Sequence, residues 1–232
     1  IRDRERNRIA DTVVTFRDIT KRIAMDRMKD EFVSVVSHEL RTPLTSIRGS
    51  LGLIAGGVMG VLPDKVQHTA DIAVTNADRL IRLINDILDI ERVESGGVTM
   101  AKTACDTRAL MAQAMELTGG MAAKAGVTLY QSPVPVQLWA DPDRIIQAFT
   151  NLLSNAIKFS PMGSTVSLMA QRQGDHVLFQ VTDQGRGIPV ENLESIFERF
   201  KQVDASDSRE KGGTGLGLAI CRSIVQQHGG SI

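Results

Sequence analysis

Of the 232 residues only two are cysteine, one is tryptophan and one is tyrosine. Cys105 and Cys221 stand far apart with no C-x-x-C spacing. That excludes a disulfide framework and a cysteine zinc site, and it suits a reducing compartment. Net charge is missing as well: 27 Lys and Arg balance 27 Asp and Glu. Composition therefore gives no electrostatic argument for nucleic acid or an anionic membrane surface. No apolar run approaches the ~20 residues that cross a bilayer. The first residues, IRDRERNRIADT, lack the apolar core of a secretory leader. No internal repeat or low-complexity tract is present. What the chain does have is a 42% apolar fraction, enough for a globular core, in a length suited to one or two domains.

Glycine and proline divide the sequence. Residues 12–19, TVVTFRDI, alternate and are rich in β-branched types, which predicts a short strand. A helical period then runs from Thr20 to about Ala55. It breaks at GGVMGVLPDK, where Gly56, Gly57, Gly60 and Pro63 are turn chemistry. A second helix is expected from Asp64 to about Glu94, with SGG at 95–97 as stop and hinge. Two long helices joined by a short loop make an αα-hairpin. Beyond Gly97, strands are expected at 98–104, 127–131, 136–140, 164–172 and 176–183. Helices are expected at 106–124, 142–159, 190–198 and 215–228. Asp141-Pro142 is a start signal, a cap followed by proline at the first helical position. Strands interleaved with helices, without regular βαβ alternation, predict an α+β class with an α/β sandwich after the hairpin.

On a wheel of ~100° per residue, Phe32, Val36, Leu40, Leu44, Ile47, Leu51 and Ile54 form one apolar stripe. His38 lies roughly opposite its centre and is expected to face solvent. Thr42 follows one turn later on the same side, and Glu39 is adjacent. The second helix has its own stripe of Val66, Ala73, Ala77, Leu80, Ile84 and Ile87. Two helices cannot bury this much apolar surface against each other, so a homodimeric four-helix bundle is expected. The alternative is a hairpin packed on another domain of the same chain. A neutral imidazole is a nucleophile near neutral pH. An adjacent carboxylate can orient the ring and take its proton. Attack on phosphorus gives a phosphoramidate that can pass its phosphoryl group onward. A lone surface histidine usually has no such role. Pro43, which removes a helical hydrogen bond and bends the axis, marks the site as unusual.

The second half carries further elements, each with a bland reading beside it. Gln147, Asn151, Asn155 and Lys158 share a face at helical spacing. Amide oxygens suit magnesium and lysine suits phosphate; alone, the pattern is also that of a solvated face. In FQVTDQGRGIP, 179–189, a strand delivers Asp183, then Gly185 and Gly187. Small residues let a backbone approach a flat ligand, and a carboxylate can accept from an exocyclic amine; a tight turn would look the same. In KQVDASDSREKGGTGLGLAICRSIV, a polar stretch runs into Gly212, Gly213, Gly215 and Gly217, then an apolar helix. Such backbone presents N–H groups to phosphate. No apolar strand precedes it, so it is not a dinucleotide fingerprint, and no P-loop is present. The protein-kinase glycine loop and H-R-D motif are also absent.

Taken in order, these pieces resemble a sensor histidine kinase of two-component signalling. SHELRTPL is similar to that family's phospho-acceptor box, NLLSNAIKFSP to its asparagine box, and DQGRGI to its first glycine box. IFERF (196–200) is similar to its phenylalanine box and GGTGLGLAI to its second glycine box. The resemblance implies a GHKL-type ATP-binding domain, with ATP and Mg²⁺ as cofactors. It implies that His38 takes the γ-phosphoryl group through Nε2, with Glu39 as general base and Thr42 positioning water during dephosphorylation of the partner. Asn155 is implied to hold Mg²⁺, with Asn151 close by and Lys158 on the phosphates. Phe159 is implied near the adenine and Asp183 on its amino group, while Gly185, Gly187, Gly213, Gly215, Leu216 and Gly217 line the loops. Residues 201–214 are implied to form a lid.

VVTFRDITKR resembles the last strand and exit linker of a PAS sensor domain. The domains expected are therefore 1–20 for that strand and linker, 21–96 for the dimerisation and phosphotransfer hairpin, and 97–232 for the ATP-binding domain. Family members usually continue past HGGSI with further strand, which predicts a weakened sheet edge. The function implied is ATP-dependent autophosphorylation of His38 and transfer to an aspartate of a response regulator receiver domain. The nucleotide domain is expected to swing about the SGG hinge, and an upstream sensor is expected to tilt the helices through residues 20–35. The expected setting is cytoplasmic, with no membrane segment in this chain and no nucleic acid as partner. The alternatives are a fragment acting mainly as a response-regulator phosphatase, a non-catalytic ATP-binding dimeric scaffold, or an ATPase like gyrase or the heat-shock chaperones. The last is disfavoured by the H-E-x-x-T helix. Trp139 is expected in the core, Cys105 and Cys221 as small buried hydrophobes, and His228 as a tolerated cation at a helix end.

Overall fold

A computed structural model describes the backbone of residues 2–3, 8–9, 20–58, 60–94, 100–202 and 213–232; within these, the side chains of 2–3, 8–9, 20–34, 38 and 90–94 are not described. Two short strands, β1 (Arg2–Asp3) and β2 (Arg8–Ile9), pair antiparallel. The strand expected at 12–19, the hinge at 95–97 and most of the expected lid lie outside the described residues.

Helix α1 (Thr20–Ala55) runs through Pro43 without ending. At its C-terminus the amide of Gly56 bonds Gly52 O at 2.8 Å. Gly57 and Gly60 take positive φ in the turn that follows, a conformation glycine adopts without steric cost. Helix α2 (Asp64–Glu94) returns alongside. Arg41 Nη2 donates to Asn85 Oδ1 at 2.7 Å, and Arg48 pairs with Asp78. This register sets residues 37–40 of α1 beside 86–89 of α2. Ala70, Ala77 and Leu88 are buried between elements, whereas Leu40, Ile47, Val66, Ile72 and Leu80 remain about half exposed. The hairpin alone therefore leaves a long apolar face uncovered.

The second unit is built from β3 (Thr103–Asp106), α3 (Thr107–Ala125), β4 (Thr128–Ser132), β5 (Gln137–Ala140), α4 (Pro142–Phe159), β6 (Thr165–Gln173), β7 (His176–Thr182) and α5 (Gly217–Gln227). Strands β3 and β5 pair antiparallel. Strand β4 runs parallel to β6, and β6 antiparallel to β7. Helices α3 and α4 cover this sheet through Met111, Leu153, Ile157, Val166 and Leu168. The core face of α4 repeats at Ile146, Phe149, Leu153 and Ile157, as its period requires. Asp141 caps the helix by accepting from Arg144 N, with Pro142 at the first position. Helix α5 packs on a second side of α4, where Ala148 meets Ile220, Cys221 and Ile224.

Three expectations are corrected. The helix expected at 190–198 is two 3₁₀ turns, Val190–Asn192 and Ser195–Phe197. Val190 and Leu193 stay exposed, so no buried face supports a longer helix. Trp139 is 71% exposed because Leu138 and Ala140 take the inward positions of β5 and the alternation turns it outward. His228 is an acceptor: Asp141 N–H donates to its Nε2 at 3.0 Å, which leaves the ring proton on Nδ1, 2.8 Å from Ile224 O. The ring thus ties the end of α5 to the start of α4. Cys105 and Cys221 are buried as expected, and burial pushes the Cys221 thiol up to about 12.

Candidate functional site

The polar face of α4 divides by depth along the helix. Gln147, near its start, turns toward the hairpin: Nε2 donates to Asp89 Oδ2 at 2.6 Å, and Oε1 accepts from Arg144 Nη1 at 2.9 Å. Gln147 therefore belongs to a contact between the two units and not to the ligand face on which its spacing placed it. One turn on, Asn151 Nδ2 donates to Gly217 O at 3.3 Å, tying α4 to the start of α5. Asn155 is half-buried on the same face. Lys158 closes the face, its Nζ 2.8 Å from where a Cβ on Gly213 would lie. The helix thus brings the Asn151 amide and the Lys158 ammonium against the glycine loop.

Phe159 forms the next wall. Its ring has Lys158 Nζ at 4.9 Å and the Arg186 guanidinium at 5.2 Å from the centroid, both within cation–π range. Strand β7 delivers Asp183, whose Oδ1 accepts from Gly185 N at 2.7 Å. A Cβ at Gly185 would stand 2.8 Å from both that oxygen and the carbonyl oxygen of Phe159. Only glycine lets the Asp183 loop approach the end of α4 so closely. Gly187 follows with φ +73°.

The glycine loop is held from several sides. Phe200 N donates to Gly215 O at 3.0 Å, and Gln202 Nε2 to Gly213 O at 2.9 Å. Gly215 has φ +72°, and a Cβ there would lie 2.9 Å from the Phe200 backbone. Phe200 itself adopts φ 59°, an outlier for a bulky residue. Leu216 is fully buried, so only its backbone faces the loop. Thr214 Oγ1 accepts from Leu216 N at 3.2 Å and donates to Asp86 Oδ2 on α2 at 2.8 Å. Burial pushes the Asp86 carboxyl above its ordinary range and Asp89 adds to this, while the bond from Thr214 and the charge of Arg82 act the other way.

The structure brings Asn151, Asn155, Lys158, Phe159, Asp183, Gly185, Gly187, Gly213, Gly215, Leu216 and Gly217 into one region of the second unit. Glu39 and Thr42 are exposed on α1. His38 is helical there, while the expected exposure of its ring lies outside the described residues. Asp86, Asp89, Arg144, Thr214 and Arg186 were not singled out from sequence. The contacts of Asp86, Asp89, Arg144 and Thr214 join residues 55 to 128 apart in sequence, so no local spacing signalled them.

Residues 28–96 match the His Kinase A (phospho-acceptor) domain, and residues 140–232 match the histidine kinase-, DNA gyrase B- and HSP90-like ATPase. The chain belongs to the sensor histidine kinases. It is 34% identical over 221 residues to the sensor protein SrrB of Staphylococcus aureus, a match covering 95% of this chain and 38% of that relative. Among solved structures, full-length ShkA in complex with AMPPNP is similar with a TM-score of 0.67 and 30% identity, covering 84% of this chain and 40% of that one. The Acinetobacter baumannii histidine kinase AdeS is similar with a TM-score of 0.54 and 26% identity, covering 82% and 86%. In sensor-kinase terms, residues 28–96 are the phospho-acceptor domain and residues 140–232 the ATPase domain. No helix among the described residues is long and apolar enough to cross a membrane.

Proposed function

We propose that this chain moves the γ-phosphoryl group of ATP to His38, and from there to an aspartate of a response regulator receiver domain. The observation that carries the reading is the convergence on one ATPase fold of the α4 face, the Asp183 loop and the glycine loop. Asp183 accepts from the adenine amine, Phe159 supplies an apolar wall, and the loop amides with Lys158 take the phosphates. Phosphoryl transfer depends mainly on positioning and charge neutralisation, which is what such a set of donors supplies.

The residues present fit a magnesium ion. Among the described residues there is no cluster of three or more His, Cys, Asp or Glu side chains able to hold a metal. Asn155 offers a half-buried amide oxygen instead, and magnesium usually takes one or two protein oxygens with phosphate and water. When bound, the ion neutralises charge on the phosphates. Asn155 holds it, with Asn151 alongside. His38 Nε2 forms the N–P bond as the bond from phosphorus to the ADP oxygen breaks and its electron pair leaves with ADP. Glu39 takes the ring proton from Nδ1, and Thr42 orients water when the regulator is dephosphorylated.

The half-exposed apolar face of α1 and α2 supports a homodimer. The boundaries proposed are 21–96 for the dimerisation and phosphotransfer hairpin and 97–232 for the ATP-binding unit, with 1–20 as the end of an upstream PAS-like sensor. The test is incubation with γ-labelled ATP and Mg²⁺, wild type beside His38→Gln. The expected product is an acid-labile, base-stable label present only in the wild type; label undiminished in the variant would overturn the reading.

A further inference from the structure

The end of α4 is met by two cations from different parts of the fold. Lys158 Nζ lies 4.9 Å and the Arg186 guanidinium 5.2 Å from the centroid of the Phe159 ring. Lys158 belongs to α4 itself and also stands beside Gly213 of the glycine loop. Arg186 comes from the loop that follows β7, the same loop that carries Asp183. The two cations share a ring but not a neighbourhood. One reaches the loop assigned to phosphate, and the other belongs to the loop assigned to the base.

The backbone on either side fixes where Arg186 starts. Gly185 N donates to Asp183 Oδ1 at 2.7 Å, and a Cβ on Gly185 would stand 2.8 Å from the Phe159 carbonyl oxygen. This approach pins the loop to the end of α4. Gly187 then takes φ +73° and turns the chain. Arg186 itself is exposed, so its long side chain can lift from the ring while its backbone stays in place. A guanidinium is planar and weakly hydrated, and it stacks on flat rings, nucleobases included. A lysine ammonium is a compact point charge with no flat face to offer.

We propose that Arg186 is the second wall of the adenine site, its guanidinium stacking on the face of the base opposite Phe159. The inference rests on the ATP-binding reading above. Planar groups in contact stand ~3.5–4 Å apart, so the 5.2 Å now between guanidinium and ring centroid leaves no room for a layer between them. The Arg186 side chain therefore lifts as the base enters and settles on it. The base is then held at its edge by Asp183 and on its two faces by Phe159 and Arg186. Arg186 serves the base, and Lys158 serves the phosphates.

The test measures binding of two ligands to the full chain: an unhydrolysable ATP analogue with Mg²⁺, by calorimetry, and adenosine, by NMR titration. Arg186→Ala is expected to weaken both by the same factor, about 5-fold, the size of a cation–π contact. Arg186→Tyr keeps a flat face without the charge and should hold both ligands near the wild-type affinity. Arg186→Lys keeps the charge without the face and should recover little. Lys158→Gln is the contrast: it should weaken the analogue and leave adenosine unchanged. Loss of the analogue alone in Arg186→Ala makes Arg186 a phosphate contact and overturns the proposal. So does full recovery by Arg186→Lys beside none by Arg186→Tyr, or adenosine weakened as much by Lys158→Gln as by Arg186→Ala. Unchanged affinity of Arg186→Ala for both ligands, beside a wild type that binds them, overturns the stacking and leaves the ATP reading standing. A wild type that binds the analogue but not adenosine does the same. A wild type that binds neither overturns both.

Discussion

At the scale of single residues, the proposed nucleotide site depends on backbones that approach more closely than any side chain permits. Gly215 combines a positive φ with direct contact to the Phe200 backbone. An alanine there carries strain of ~1–2 kcal/mol from the left-handed conformation, before the clash with backbone atoms is added. Gly215→Ala is expected to lower ATP-analogue affinity by at least about ten-fold, the equivalent of roughly 1.4 kcal/mol, while circular dichroism stays that of the folded chain. Unchanged affinity would show that the loop takes no phosphate. Gly213 is a milder case, since the atom its Cβ would meet is the flexible end of Lys158.

At the scale of elements, α4 is the organising piece. One side enters the sheet core, a second meets α5, and a third carries Gln147 to the hairpin and Asn151 and Lys158 to the glycine loop. Its start is fixed twice, by the Asp141 side chain and by the bond from Asp141 N–H to His228 Nε2. Replacing His228 with alanine leaves that half-buried N–H without its acceptor. An unsatisfied group of this kind costs ~1–3 kcal/mol, so His228→Ala is expected to lower unfolding free energy by that amount in denaturant titrations. His228→Gln, able to offer an oxygen to the same donor, should recover part of it. The sequence placed α4 at the boundaries observed, 142–159, because cap, proline and apolar period all agreed. It erred at 190–198, where polar and apolar residues also fitted a helical period. Val190 is largely exposed and Leu193 about half exposed, and without a buried face the period has nothing to enforce it.

At the scale of the whole molecule, the hairpin has more apolar face than one chain covers. Leu40, Ile47 and Leu80 are each close to half exposed. Carboxylates introduced there, as in Ile47→Glu with Leu80→Glu, would be desolvated in a four-helix bundle but solvated in a lone hairpin. The double variant is expected to sediment as a monomer where the wild type sediments as a dimer; an unaltered mass would place the contact elsewhere. The same scale holds the contact between the hairpin and the ATPase unit. No sequence spacing announced it, because Asp86 and Asp89 lie about 55 to 130 residues from Arg144, Gln147 and Thr214, and their meeting depends on how two separately folded units come together.

The sequence by itself determined the local features: the two long helices, the capped start of α4, the glycine positions and the order of the motifs. These follow from periodicity, caps and backbone freedom, which act between neighbours in the chain. The tertiary structure alone decided that Gln147 serves the hairpin and not the ligand face, that His228 is an acceptor, that Trp139 points outward, and that Asp86 reaches the glycine loop. Each of these depends on which surface arrives opposite a side chain, and that is fixed only when distant elements pack.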